Sequence, residues 1–229
     1  MTLDLPAIDA GLTLALNGSH SLLLDHLMLL MTETYAWLPF FVALVVVVFR
    51  NNSLRQALFV LLSVALLICV CDRLCSGFVK PAVARWRPTQ DPFLMYSVDV
   101  VQGYRGGRYG FYSGHANNTF ALATFLALLF RHRPATLVLY GWAVLHTYTR
   151  LYLGVHYLGD VLVGALVGIL FALLVYLLYA YVKRHLGDPP LISLQFTSTG
   201  YQRIHLYGFL VVALLNVLLL LVLAPTYGI

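Results

Sequence analysis

Charge is what this sequence has least of. Only 10% of its 229 residues are Asp, Glu, Lys or Arg, where a soluble domain carries about a quarter. Hydrophobic residues make up 61%, and the mean hydropathy is +0.84. One compact core cannot hide that much apolar side chain, so most of it must face lipid. A soluble enzyme, a disordered tail and a nucleic-acid-binding module are therefore excluded. Cysteine is scarce too. Cys69, Cys71 and Cys75 share one apolar stretch; helical partners rarely bridge, so they read as small packing residues and leave the redox compartment undetermined. Basic residues are missing ahead of the first apolar run, which argues against a cleaved signal peptide. No repeat of about 20–50 residues and no low-complexity tract is found.

What is there is a series of apolar runs. A membrane-crossing helix needs about 20 mostly apolar residues. Six runs qualify, near 34–50, 54–79, 115–131, 135–152, 157–183 and 204–225; the stretch 161–182 has no charge at all. Residues 1–33 are broken by Asp4, Asp9, Asn17, Gly18 and Asp25, so they read as one or two short helices lying in the interface. The expected fold is an all-α polytopic membrane bundle: a segment 1–33 of interfacial helices, then a single transmembrane domain over 34–229. Arg50, Arg55, Arg131, Arg133, Lys183, Arg184 and Arg203 fall in alternate loops, which makes that side cytoplasmic by the positive-inside rule. The far side holds acidic residues but also Lys80, Arg85, Arg87, Arg105, Arg108 and Arg150. That conflict is resolved only if those cations have a binding task. Asp72 and Arg73 fall inside the second run, where charges are expected to face the interior and pair.

Three clusters sit at the far ends of the middle runs. In the first, Lys80 and Arg87 are seven residues apart; on a helix that is nearly two turns, so both would point the same way before Pro88 stops the helix. Alone they could be lipid-headgroup anchors. The second is Tyr112-Ser113-Gly114-His115, where Ser caps a helix N-terminus, Gly admits close approach, and the free N–H groups suit a phosphate. Alone it could be a plain cap. In the third, His156 and Asp160 are four apart and share a helix face, so Asp160 can hold one imidazole nitrogen and leave the other as a nucleophile. Alone it could be a satisfied buried pair. Arg150 is out of phase with them, and Gly154 is the expected break that brings it around. Together, three cations and a helix N-terminus without a carboxylate cage suit a phosphate; the same cations would repel a divalent metal.

These clusters resemble the signature of the type 2 phosphatidic acid phosphatase (PAP2) superfamily: Lys-x6-Arg-Pro, Pro-Ser-Gly-His and Ser-Arg-x5-His-x3-Asp. Order and spacing match over about 54–183, with Tyr112 in place of Pro and Thr149 in place of Ser. The resemblance implies hydrolysis in two steps with no metal and no cofactor. His156 attacks phosphorus, Asp160 supports its ring, and His115 protonates the leaving oxygen and then activates water. Lys80, Arg87, Arg150 and the Ser113-Gly114 backbone hold the phosphate oxygens. It implies as partner a membrane lipid phosphate, such as undecaprenyl pyrophosphate, lipid A, phosphatidylglycerol phosphate or phosphatidate. The expected location is a bacterial inner membrane, with the site on the non-cytoplasmic, periplasmic face. The segment 89–111, with Arg105 and Arg108, is the candidate lid or headgroup reader. The competing reading is a transporter or scaffold that only binds anionic lipid. Oligomeric state is not legible.

Overall fold

The computed structural model describes residues 4–19, 21–185 and 193–227. It is all-helical, and among these residues the only β pairing is two isolated bridges. Two short helices come first, α1 (Leu5–Ala15) and α2 (Leu22–Thr32), capped by Asp4 and Ser21. Then follow α3 (Leu38–Asn51), α4 (Leu54–Asp72) and the short α5 (Lys80–Val83). Four long helices complete the bundle: α6 (Gly114–Phe130), α7 (Arg133–Tyr152), α8 (Leu158–His185) and α9 (Arg203–Leu223).

Among the described residues, four spans are long and apolar enough to cross a membrane: Thr34–Asn51, Leu54–Val83, Leu158–Arg184 and Arg203–Thr226. The other two expected spans, now α6 and α7, do not meet that measure. α6 has only 17 residues and α7 interleaves Arg, His, Thr and Tyr with its apolar residues. The reason is position. Asn117, Thr119 and Thr124 of α6 and His146, Thr147, Thr149 and Arg150 of α7 are buried in protein, so these helices need less apolar surface. α6 lies between α7 and α8.

The α6–α8 contact is made close by one face of α8. Asp160, Gly164, Gly168 and Ala172 recur every four residues along it. A Cβ on Gly164 would lie 2.5 Å from the Ser113 carbonyl, and one on Gly168 would lie 2.2 Å from that of Asn117. Small residues let two backbones meet where lipid provides no hydrophobic drive between helices. Asn216, the one strongly polar side chain of α9 beyond His205, accepts from Phe40 N at 3.3 Å and donates to Ala36 O at 3.0 Å. It thereby satisfies an otherwise free N–H in the first turn of α3.

The helix ends sort into two layers. At one end Asn51 and Asn52 bond to Gln202 and Tyr201, and Thr199 to Phe130. At the other, Arg85 joins Asp9 and Asp160, and Arg150 joins Thr32. Asp72 and Arg73 depart from expectation: both are exposed, and Asp72 only accepts from Ser76, at 3.3 Å. The 19 residues of α4 rise about 28 Å, roughly the hydrocarbon thickness. Both charges lie inside the apolar span Leu54–Val83 at the C-terminal end of α4, and they face outward rather than into the bundle. Beyond them the chain widens into π-helical turns over Arg73–Val79.

Candidate active site

Lys80 and Arg87 do not share a helix. α5 stops at Val83, where Ala84 takes a left-handed conformation (φ 51°). The next residues run extended and pair with the returning loop, Gly110 N to Arg85 O at 2.9 Å and Arg87 N to Arg108 O at 3.2 Å. Lys80 thus reaches the site from a helix and Arg87 from a hairpin-like strand. The Lys80 ammonium lies 3.8 Å from the Cβ position of Gly114. That places it beside the N-terminus of α6, where Ser113 accepts from Ala116 N as the cap. Ser113 N donates in turn to Asp160 O at 2.9 Å.

α7 ends at Tyr152, and Gly154 turns the chain at φ +65°. A Cβ at Gly154 would press on Val98 at 2.4 Å. The turn sets Arg150 and His156 at the same end of the bundle. Arg150 is buried; it donates to Thr32 Oγ1 on α2 and, at 3.1 Å, to the Tyr104 hydroxyl. Its Nε has no hydrogen-bond partner. An orphaned buried guanidinium N–H is costly and marks a place for an acceptor.

His156 is 1% exposed. Arg87 Nη1 lies 3.2 Å from its Nε2 and 3.0 Å from Val155 O, while Arg87 Nε reaches Tyr109 O at 3.2 Å. A guanidinium only donates, so Nε2 is the acceptor and the ring proton is on Nδ1. Nδ1 is 3.5 Å from Asp160 Oδ2, without the alignment of a hydrogen bond. Burial, then the charges of Arg87, Arg150, Lys80 and His115, hold the His156 imidazole well below the usual histidine range. It is neutral, the form that carries a free lone pair. Burial and then Arg150 push the Arg87 guanidinium down to about 10, which still leaves it charged at neutral pH. His115, in the first turn of α6, stacks on His146 of α7, ring centroids 5.6 Å apart. Among the described residues no group of three or more His, Cys, Asp or Glu is arranged to hold a metal.

All eight residues singled out by the sequence, Lys80, Arg87, Ser113, Gly114, His115, Arg150, His156 and Asp160, therefore lie at one end. Several site residues had no sequence signal. Arg85 donates to Asp160 Oδ1 at 2.8 Å and to Asp9 Oδ2 at 2.7 Å. Gly110 closes over Asp160 and His156, and Thr32 and Tyr104 hold Arg150. The loop arginines have local partners: Arg105 donates to Thr89 O at 2.9 Å, and Arg108 lies over Trp86 at 4.5 Å.

Known proteins share much of this sequence. The family model of the PAP2 superfamily matches residues 53–184. A protein named lipid A 4'-phosphatase from Porphyromonas gingivalis is 37% identical over 181 residues, 79% of this chain and 77% of the relative. Another of that name from Bacteroides thetaiotaomicron is 40% identical over 165 residues, 70% of this chain and 72% of the relative. No solved structure gives a significant match.

Proposed function

Because the chain belongs to the PAP2 superfamily and is a membrane lipid phosphatase, we propose that it removes a phosphate monoester from a lipid A-type glycolipid through a phosphohistidine on His156. The observation that carries this reading is the polarity of the His156 ring. Its Nε2 lone pair faces the cations, with Arg87 3.2 Å away, and its Nδ1 faces Asp160. A nucleophile needs its lone pair on the side where the electrophile is held.

In the first step Arg87 transfers its donor from Nε2 to a phosphate oxygen. The freed pair forms the N–P bond as the P–O bond to the lipid breaks. His115 gives its proton to the leaving oxygen, and Asp160 balances the charge that develops on the imidazole. In the second step water attacks phosphorus and gives a proton to His115. The N–P bond breaks, its pair returns to Nε2, and inorganic phosphate leaves. Lys80, Arg87, Arg150 and the N–H of Gly114 hold the equatorial oxygens throughout, the Ser113 N–H being taken by the Asp160 carbonyl. Helices α1 and α2 lie along the headgroup layer, and the site opens on the non-cytoplasmic face of a bacterial inner membrane.

The test is phosphate release by the purified chain in detergent. The panel is a lipid A phosphate, phosphatidate, phosphatidylglycerol phosphate and undecaprenyl pyrophosphate, with His156→Ala as blank. The lipid A phosphate is expected to be the best substrate and His156→Ala to release none. Full activity in His156→Ala removes the nucleophile. A preference for another lipid removes the substrate assignment, and binding without release turns the protein into a scaffold for anionic lipid. EDTA is expected to leave the rate unchanged; a loss reversed by added metal overturns the metal-free route.

A further inference from the structure

The N-terminal helix α1 reaches into the site. Arg85 spreads its guanidinium between two carboxylates, Nη1 to Asp160 Oδ1 at 2.8 Å and Nη2 to Asp9 Oδ2 at 2.7 Å. Asp9 is itself anchored, its Oδ1 accepting from Gly159 N in the first turn of α8 at 2.8 Å. It fits because residue 159 is glycine, where a Cβ would stand 2.9 Å from Asp9 Oδ2. One turn on, Thr13 accepts from Leu158 N at 2.9 Å. The Arg85 guanidinium also lies over the Tyr157 ring at 3.9 Å, and the Tyr157 hydroxyl donates to Asp91 at 2.8 Å.

We propose that Asp9 and Arg85 are positioning residues for the hydrolysis, setting how much of the Asp160 carboxylate is available to His156. The reading rests on the His156–Asp160 assignment above. Arg85 can offer a carboxylate two parallel N–H donors. Asp9 takes one of them, so Asp160 receives a single bond at Oδ1. Asp160 Oδ2 then keeps only Tyr157 N, at 3.1 Å, and faces His156 Nδ1. Without the Asp9 charge, Arg85 is free to grip both oxygens of Asp160. The carboxylate is drawn away from the imidazole, which loses support as it takes on positive charge. Burial opposes the Arg85 charge, but Asp9 and Asp160 outweigh it and hold the guanidinium above its usual range. It stays a cation at any working pH. Asp9 lies outside the matched residues 53–184, so the family signature does not include this contribution.

The experiment measures kcat and KM for phosphate release from a lipid phosphate monoester by the full chain. The variants are Asp9→Asn, Asp9→Glu, Arg85→Gln and the double variant Asp9→Asn/Arg85→Gln, each checked for an intact detergent-solubilised monodisperse species. Asp9→Asn is expected to lower kcat about tenfold with KM within about threefold, because the phosphate ligands are untouched. Asp9→Glu, which keeps the charge, is expected to recover part of the loss. On the Arg85→Gln background, Asp9→Asn is expected to cost nothing further, since Asp9 acts through Arg85. Independent, multiplying losses overturn the proposal, as does an Asp9→Asn kcat equal to the wild type. A merely structural role would lower the yield of folded protein without this non-additivity. If Asp9→Asn does not fold, Arg85→Lys decides in its place, because it keeps the charge but cannot span both carboxylates: an unchanged kcat overturns the proposal. His156→Ala separates the two levels. If it is inactive while Asp9→Asn matches the wild type, the positioning role alone fails; if it is active, the assignment beneath it fails.

Discussion

Gly110 offers a clean steric test of the site because its backbone needs nothing special. It is absent from the glycines with positive φ, so alanine can adopt its conformation. A Cβ there would lie 2.9 Å from Asp160 Oδ2, 3.3 Å from Arg87 Cγ and 3.5 Å from His156 Nδ1, where ordinary contact begins at 3.4 Å. Asp160 cannot yield freely, held by Arg85 at 2.8 Å and Tyr157 N at 3.1 Å. The carboxylate must retreat by about half an ångström, and since a misplacement of about 1 Å can cost about a hundredfold in rate, Gly110→Ala is expected to lower kcat about tenfold. The overpacking is expected to cost about 1–2 kcal/mol of stability. Gly107, in the same loop, has nothing within 4 Å of its Cβ position and serves as control. Phosphate-release kinetics and thermal unfolding in detergent read both effects. Full kcat in Gly110→Ala, or an equal loss in Gly107→Ala, would refute the packing argument.

Two further perturbations test the chemistry and its orientation. His115→Ala is expected to slow an alkyl phosphate monoester far more than a pyrophosphate, because an alkoxide needs a proton on departure and a phosphate anion does not; equal losses on both, measured as kcat, contradict the general-acid role. Arg133→Cys puts an exposed thiol at the end of the bundle away from the site. It is expected to be shielded from an impermeant label in intact cells, and labelling there inverts the topology.

The candidate site is legible in the sequence because its chemistry is carried by short motifs whose internal order survives folding. His156 and Asp160 lie within one short segment, and Ser113 with His115 at one helix start. What is not legible depends on backbone turns that leave no residue signal. Ala84 is left-handed, although alanine is among the best helix formers, so the spacing of Lys80 and Arg87 suggests one helix where there are two elements. The same break aims Arg85 at Asp160, a position hidden in the variable stretch of the first motif. Asp9 meets its partners some 150 residues along the chain, and no local pattern announces that. Gly110 is one of four glycines in its loop, distinguished only by what lies beneath it. Among the helices, strong apolar runs are readable, whereas α6 and α7 lose contrast because they are wrapped by protein.

The far-side cations that conflict with the positive-inside rule now have physical employment. Arg105 and Arg108 turn to a carbonyl and an aromatic face within their own loop, leaving Lys80, Arg85, Arg87 and Arg150 at the site. Against these four stand two carboxylates, Asp9 and Asp160, and a neutral His156. Arg87, Arg150 and Asp160 are buried and Lys80, Arg85 and Asp9 half-buried, so the site carries an excess of positive charge that an anionic ligand group relieves. At the other end Arg131 and Arg133 are exposed. On the orientation proposed above, topology and catalysis draw on separate sets of cations.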